Sequence, residues 1–497
     1  MTISKTKYCN YISWPKKCWL SVHKPELVKI DAGKQHRFDE GHEVGELAKG
    51  LFGPFVDVTT NVEDGSLDIA VMIAKTRAAL EAGVETICEA AFSKDGLYCA
   101  VDVLHKENGG YAIYEVKSTN SVKSYHYPDI AFQKYLLELC GITVTGTYLV
   151  HLNRSYLRKG NLEVSFGKLF VREDVSKKII KAFDKVKTLS DEAKALLDEP
   201  EPKTVFGSHC TSPYACDYFE YCKREAPKPS VLDVYDFGER WQLYNGGIRT
   251  FEDLLASGHS LTAIQRRQIE YSLATAKSTY INPDGIKSFL DKLTYPLYFL
   301  DFESMMPALP PYDDTHSYQQ IPFQYSLHIL EGIGGKIEHR EFLGEPEADP
   351  RRTLAERLVR DIPHNACVVA YNADFEKGRL EDLAKLFPDL KEHLLNIRLH
   401  IVDMLVPFQS GYYYNRDMGG SFSVKSVLPA IFPNDPELDY HNLDGVHNGT
   451  EAKDVFPTLP DMPPEERECT RKGMLAYCKL DTYAMVKIWQ EFLRVTR

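Results

Sequence analysis

The stretch Tyr295 to Glu303, Y-P-L-Y-F-L-D-F-E, constrains this chain more than any other. Its apolar run, Tyr298 to Leu300, reads as a buried strand. The run ends in two carboxylates, Asp301 and Glu303, with one residue between them. Side chains alternate across a strand, so positions i and i+2 share a face and both acids can point at one spot. Paired acids at the end of an apolar strand have one strong use, holding divalent metal ions.

A chain of 497 residues is long enough for two or three domains. No apolar run is long enough to span a bilayer and no signal-type segment opens the chain, so a cytoplasmic protein is expected. The net charge of −12 argues against a nucleic-acid packaging protein. It does not exclude a nuclease, whose site is acidic and whose contacts form a local patch. The eleven cysteines read as thiols or metal ligands rather than disulfides. The opening residues carry lysines interleaved with aromatics, either a solvated basic segment or a set of phosphate contacts.

The first half predicts helices over 36–52 and 67–82, then strands over Thr86–Phe92, Leu97–Leu104 and Tyr111–Lys117. A helix over Ile130–Cys140 and a strand over Thr143–Leu152 follow. Asp102 lies among apolar neighbours on the second strand, where a lone carboxylate would be costly. Glu115 and Lys117 form another i, i+2 pair. Two carboxylates bind metal, and a lysine beside them orients water and stabilises charge on phosphorus. The following helix carries Gln133 and Tyr135.

These residues resemble the RecB-type branch of the PD-(D/E)XK nucleases, including the CRISPR-associated exonucleases, over roughly residues 1–225. The resemblance implies Asp102 and Glu115 as metal ligands, Lys117 and Gln133 as catalytic residues and Tyr135 as a nucleic-acid contact. It also implies a metal-binding histidine on an early helix. Gly45 stands at the expected position and His42 lies nearby, so His42 is the residue expected to serve; Glu89 is a further acid expected to face the site. A charged amphipathic helix over Glu173–Leu197 and the linker D-E-P-E-P-K-T lead to H-C-T-S-P-Y-A-C-D-Y-F-E-Y-C. There Cys210, Cys216 and Cys222 recur at even spacing. In the family such a trio, with one cysteine near the N-terminus, holds a four-iron (4Fe-4S) cluster. In S-K-T-x(7)-W-P-K-K-C-W-L that first cysteine is replaced by Trp14. Cys18 or Cys9 is then the fourth ligand from a shifted position, or the site is three-ligated, takes zinc or stays empty.

Residues 226–292 read as a helical connector. L-Y-N-G-G-I-R-T-F-E-D-L-L followed by L-T-A-I-Q-R-R-Q-I resembles a helix-hairpin-helix unit, which approaches a phosphate backbone through its glycine turn; a plain connector is the alternative. Beyond it, D-F-E is followed by N-A-D-F-E and by Y-C-K-L-D on a late helix, where Tyr477 and Asp481 share a face. This order resembles the DEDDy exonucleases of the ribonuclease H-like superfamily over roughly residues 293–497. The resemblance implies that Asp301, Glu303, Glu376 and Asp481 hold two ions about 3.5–4 Å apart, while Tyr477 orients the attacking water. Glu376 departs from the usual Asp, with Asp374 as a stand-in and Asp403 as an accessory. Lys425, in G-S-F-S-V-K-S-V-L-P, is expected to meet substrate phosphates.

The expectation is an α/β chain: a PD-(D/E)XK restriction-endonuclease-like domain and a ribonuclease H-like domain joined by the connector. The implied activity is a Mg²⁺- or Mn²⁺-dependent nuclease acting on DNA single strands or ends, in repair or in defence against foreign DNA. RNA trimming and an end-binding module with one decayed site are the alternatives.

Overall fold

The computed structural model describes residues 2–30, 32–443 and 445–497. It is a mixed α/β structure with mixed sheets, divided into two compact units. Unit 1 comprises residues 1–225 and 307–319; unit 2 comprises 226–306 and 320–497. The connector expected over 226–292 lies within unit 2. Among the described residues, no helix is long and apolar enough to cross a membrane.

Seven strands of unit 1 form one sheet: β1 (Ile3–Ser4), β2 (Val56–Asp57), β3 (Thr86–Lys94), β4 (Leu97–Glu107), β5 (Gly110–Lys117), β6 (Val144–Leu152) and β7 (Phe170–Asp174). On β4, Leu97, Cys99, Val101 and Val103 are buried and the residues between them only partly so. That is the period-2 pattern of a strand with one face in the core. β4 pairs antiparallel with β3, but with β5 only from Val103–Tyr114 to Glu107–Gly110. Beyond Tyr114, β5 leaves β4 and runs parallel to β6 through Lys117–His151. The edge of β4 so vacated is taken near its start by β1, parallel, with Ile3 opposite Leu97 and Ser4 opposite Tyr98. Ser4 then caps the opening helix, Lys5–Ser13, by accepting from the Lys7 N–H.

The helix Tyr127–Leu139 crosses from β5 to β6 and buries Ile130, Phe132, Leu136 and Leu137 against the sheet. It begins earlier than expected because Pro128 stands in its first turn, where a missing N–H costs nothing. The single helix expected over Glu173–Leu197 is corrected. Its first residues belong to β7, paired with β6, and helices cover only Ile180–Phe183 and Val186–Leu197.

Residues 307–319 complete this unit from the far side of the sequence. The Glu40 carboxylate accepts from the Ala308 N–H at 2.8 Å. Arg158 donates to the carbonyls of Pro310 and Pro311, and Tyr318 Oη donates to the Ser118 carbonyl at 2.6 Å.

In unit 2 a short strand β8 (Thr279–Ile281) precedes the main sheet of β9 (Leu297–Met305), β10 (Ile321–Leu330), β11 (Ile337–Leu343), β12 (Cys367–Ala370) and β13 (Ile401–Asp403). Strand β14 (Tyr413–Asn415) pairs with β8. The main sheet runs in the order β11-β10-β9-β12-β13, with β9 central. It is antiparallel to β10 and parallel to β12. Leu300 and Phe302 face one way and pack with Leu327, Leu354, Leu358, Val368 and Leu380. Fully burying each such side chain is worth about 1.5–3 kcal/mol, which fixes the pleat of β9. Asp301 and Glu303 therefore face the other way. There the long helix Pro464–Val495 covers the sheet, with Gln324 donating to the Met474 carbonyl and Ser326 bonded to Thr482.

Candidate metal centres

In unit 2 the two acids of β9 meet Asp481 of the C-terminal helix. One oxygen of each of Asp301, Glu303 and Asp481 lies within 4.8 Å of the others, the one such acidic group among the described residues. Tyr440 Oη donates to Asp481 Oδ1 at 2.6 Å, and the Cys478 thiol donates to Asp301 Oδ2 at 3.4 Å. Tyr477 is 4% exposed. The Lys425 ammonium stands 5.0 Å from its ring centre and 5.4 Å from that of Tyr440. Lys425 and Tyr440 also line a cavity of about 880 Å³.

Glu376 occupies the third position of the helix Asp374–Leu386, 2% exposed. It lies outside the tight trio, yet its charge reaches Asp301 and Glu303. Its Oε2 is buried without a hydrogen-bond partner. Asp374 is exposed. Asp403 accepts from the N–H groups of Asn372, Ala373 and Leu405 at 3.0, 3.1 and 2.8 Å. It therefore braces the turn that delivers Glu376.

Burial, then the charges of Asp481, Glu303 and Glu376, pushes Asp301 well above the usual carboxylate range. Burial with Asp481 beside it pushes Glu303 up to about 8. Glu376 is pushed up to about 8, by burial first. Acids this close cannot all ionise unless a cation joins them. Hard oxygen donors and an orphaned Glu376 Oε2 fit Mg²⁺ or Mn²⁺.

Unit 1 gathers Asp102 from β4, Glu115 and Lys117 from β5, and Asp129 and Gln133 from the helix Tyr127–Leu139. The divergence of β5 leaves the Val116 N–H to bond Asp102 Oδ2 at 2.7 Å. Lys117 Nζ lies 2.6 Å from both Glu115 Oε1 and Asp129 Oδ2. Gln133 Nε2 donates to Glu115 and Asp129 at 2.7 and 2.8 Å, while its Oε1 is buried without a partner. A second ammonium, Lys5, lies 3.0 Å from Glu115 Oε1 and 3.6 Å from Asp129 Oδ1. Burial, then the charges of Asp102 and Asp129, pushes Glu115 up to about 7 against the pull of both lysines. Burial pushes Asp129 up as well, but Lys5 and Lys117 outweigh it and hold the carboxyl below its ordinary range. Three carboxylates are hard oxygen donors of the kind a divalent cation takes, but their oxygens do not close to within 4.8 Å of one another as those of unit 2 do.

Glu89 sits in a break of the β3–β4 register opposite Asp102, with φ at 56°, and its charge reaches Asp102. Lys5, Asp129, Tyr440 and Cys478 escape a reading of the sequence alone. Asp129 has a usable signal, lying four residues before Gln133 and so on the same helix face.

Three sequence expectations are corrected. His42 does not reach the acids; its side chain is 78% exposed and points toward Glu46, because the helix turns Val44 and Ala48 inward. Tyr135 is half-buried, its ring centre 6.0 Å from that of Phe183 at the edge of the core, and it is not among the residues gathered at the acids. Cys18 is fully buried in the hydrophobic core, and Cys9 stands by the acids of unit 1. Cys210, Cys216 and Cys222 line a separate cavity of about 20 Å³ together with Trp14. The Trp14 ring stacks on His209 at 3.8 Å and 11°. A cavity that holds about one water, with an indole in the fourth position, does not fit a four-iron cluster.

A family model described as a domain of unknown function, DUF2779, matches residues 298–423, which carry Asp301, Glu303 and Glu376 of unit 2 and include the 307–319 segment of unit 1. No curated protein and no solved structure matches the chain.

Proposed function

We propose that this chain is a metal-dependent nuclease in which unit 2 is a ribonuclease H-like DEDDy exonuclease and unit 1 a RecB-type PD-(D/E)XK module. The observation that carries the reading is the convergence of Asp301, Glu303 and Asp481 within 4.8 Å, on a central strand and a facing helix. Asp301, Glu303, Asp481 and Glu376 would hold Mg²⁺ or Mn²⁺, which when bound polarises a phosphate and acidifies water. The side chains supply the rest. Tyr477, four residues before Asp481, orients the attacking water. Asp301, Glu303 and Glu376 take up charge when their protons leave. Lys425 contributes a positive charge to the lining of the 880 Å³ cavity, which has room for the end of a strand. In unit 1 Lys117 orients water beside Asp102 and Glu115.

The substrate proposed is DNA, as single strands or free ends, trimmed 3′ to 5′ by unit 2 in a cytoplasmic repair or defence role. The pairing of every unit 1 carboxylate with a donor favours a second reading for that unit, as a module that holds nucleic-acid ends.

The test is degradation of 5′- and 3′-labelled single-stranded DNA with Mn²⁺, beside RNA of the same sequence, by wild type, Asp301→Ala and Lys117→Ala. Loss of 3′-end trimming in Asp301→Ala, with a distinct pattern lost in Lys117→Ala, supports two active centres. An unchanged pattern in Lys117→Ala makes unit 1 the binding module. Faster trimming of RNA moves the substrate to RNA, and no cleavage by wild type overturns the nuclease reading.

A further inference from the structure

Among the acids of unit 1, the Lys5 ammonium lies 3.0 and 3.2 Å from the two oxygens of Glu115, 3.6 Å from Asp129 and 4.0 Å from Asp102. It is within 4.0 Å of all three carboxylates, whereas Lys117 bonds only Glu115 and Asp129. Its location is set by backbone structure far from the acids in sequence. β1 fills the vacated edge of β4, Ser4 caps the helix, and Lys5 enters the wedge that opens between β4 and β5. Gln133 is fully buried and donates through Nε2 to Glu115 and Asp129, while its Oε1 lacks a partner. The Lys5 ammonium, though a donor, makes no bond to that acceptor.

We infer that Lys5 is a tethered counter-ion that occupies the divalent-cation position of unit 1 and must leave it for the ion to bind. This rests on reading the unit 1 acids as a metal centre. Like-charge repulsion supports it: an ion held by the same carboxylates would lie close to the Lys5 ammonium, where two cations repel strongly. The two cations thus exclude each other, and Lys5 sets how much free metal the unit needs.

The experiment measures Mn²⁺ binding to the full chain by calorimetry, and Mn²⁺-induced stabilisation by thermal melting. The background is Asp301→Asn with Asp481→Asn, which silences the other acidic group. Within it, Lys5→Met and Lys5→Gln are compared with Lys5 intact. Either variant is expected to bind Mn²⁺ at least about 10-fold more tightly and to gain more stability from it, and adding Glu115→Gln is expected to abolish both effects. If binding is saturable and Glu115-dependent but unchanged or weaker in the Lys5 variants, the inference falls and the metal centre stands. Should no variant bind Mn²⁺ in a Glu115-dependent way, the metal reading of unit 1 falls with it. If Lys5→Met does not fold, the comparison of Lys5→Gln with Lys5 intact decides both points.

Discussion

The acids of unit 1 and those of unit 2 face one difficulty, like charges buried together, and they meet it in different ways. Asp102, Glu115 and Asp129 are compensated from within by Lys5 and Lys117. Asp301, Glu303 and Asp481 receive weaker help, phenols from Tyr440 and Tyr477 and a thiol from Cys478, with Lys425 standing off over two rings. Unit 1 is therefore nearly neutral as it stands, while unit 2 keeps its acids protonated or waits for a cation. A site that carries its own counter-ions is stable without metal and slow to accept it. One that lacks them is strained without metal and avid for it.

The largest test of this contrast is on catalysis. Asp301→Asn is expected to lower 3′-end trimming by at least about 100-fold, read from single-turnover rates; a loss under tenfold would remove the acidic trio from the chemistry. Stability without metal comes next, and there the two units should respond with opposite signs. In EDTA, Asp129→Asn leaves Lys117 and Lys5 short of a partner and is expected to cost about 3 kcal/mol in urea unfolding. Asp301→Asn removes one of several repelling acids and should raise the melting temperature. If both changes destabilise alike, the two acid groups do not differ in compensation.

The pH dependence sharpens the same contrast. Glu303 and Glu376 sit at about 8 in the folded protein against an ordinary 4.5. Between those values the folded state holds more protons than the unfolded, so this part of the stability falls as pH rises. Asp129, held below 3.8, has the reverse sign. Its contribution is present above 3.8 and is lost as pH falls through the folded value. Metal-free wild type should lose stability between pH 5 and pH 8, and Glu303→Gln should flatten that slope; an equal slope in the variant would show that Glu303 is not the group titrating. A smaller change is expected of Tyr440→Phe, which deletes one short hydrogen bond to Asp481, at about 1 kcal/mol in urea unfolding. Smallest of all, His42→Ala should leave stability within about 0.5 kcal/mol and leave cleavage unchanged.

The unit 2 acids are legible in the sequence because their spacing is local. Asp301 and Glu303 are two apart on a strand, Tyr477 and Asp481 four apart on a helix, and either period can be read without knowing the fold. The same arithmetic applies to His42. Val44, two residues on, marks the buried face of that helix, and two residues turn a helix by about 200°, which sends His42 outward. Asp129 is hidden because the Pro before it reads as a loop residue, whereas it occupies the first turn of a helix. Lys5 and Tyr440 have no local signal. Lys5 is placed by a two-residue strand whose partner, Leu97, is distant in sequence, and Tyr440 reaches Asp481 from a segment without periodicity. Strand β7 is masked by a charged run because only Phe170 of its residues is fully buried.

The excursion 307–319 sets the order in which the molecule can be finished. Glu40, Ser118 and Arg158 bond to residues that emerge from the ribosome long after Glu225. At roughly 5–20 residues per second, unit 1 waits several seconds with part of its wall unmade, while the acids of β9 are already being synthesised. A nascent chain stalled before Pro307 would hold Asp102, Glu115 and Asp129 and still lack the Tyr318 hydroxyl that ties down Ser118, next to Lys117.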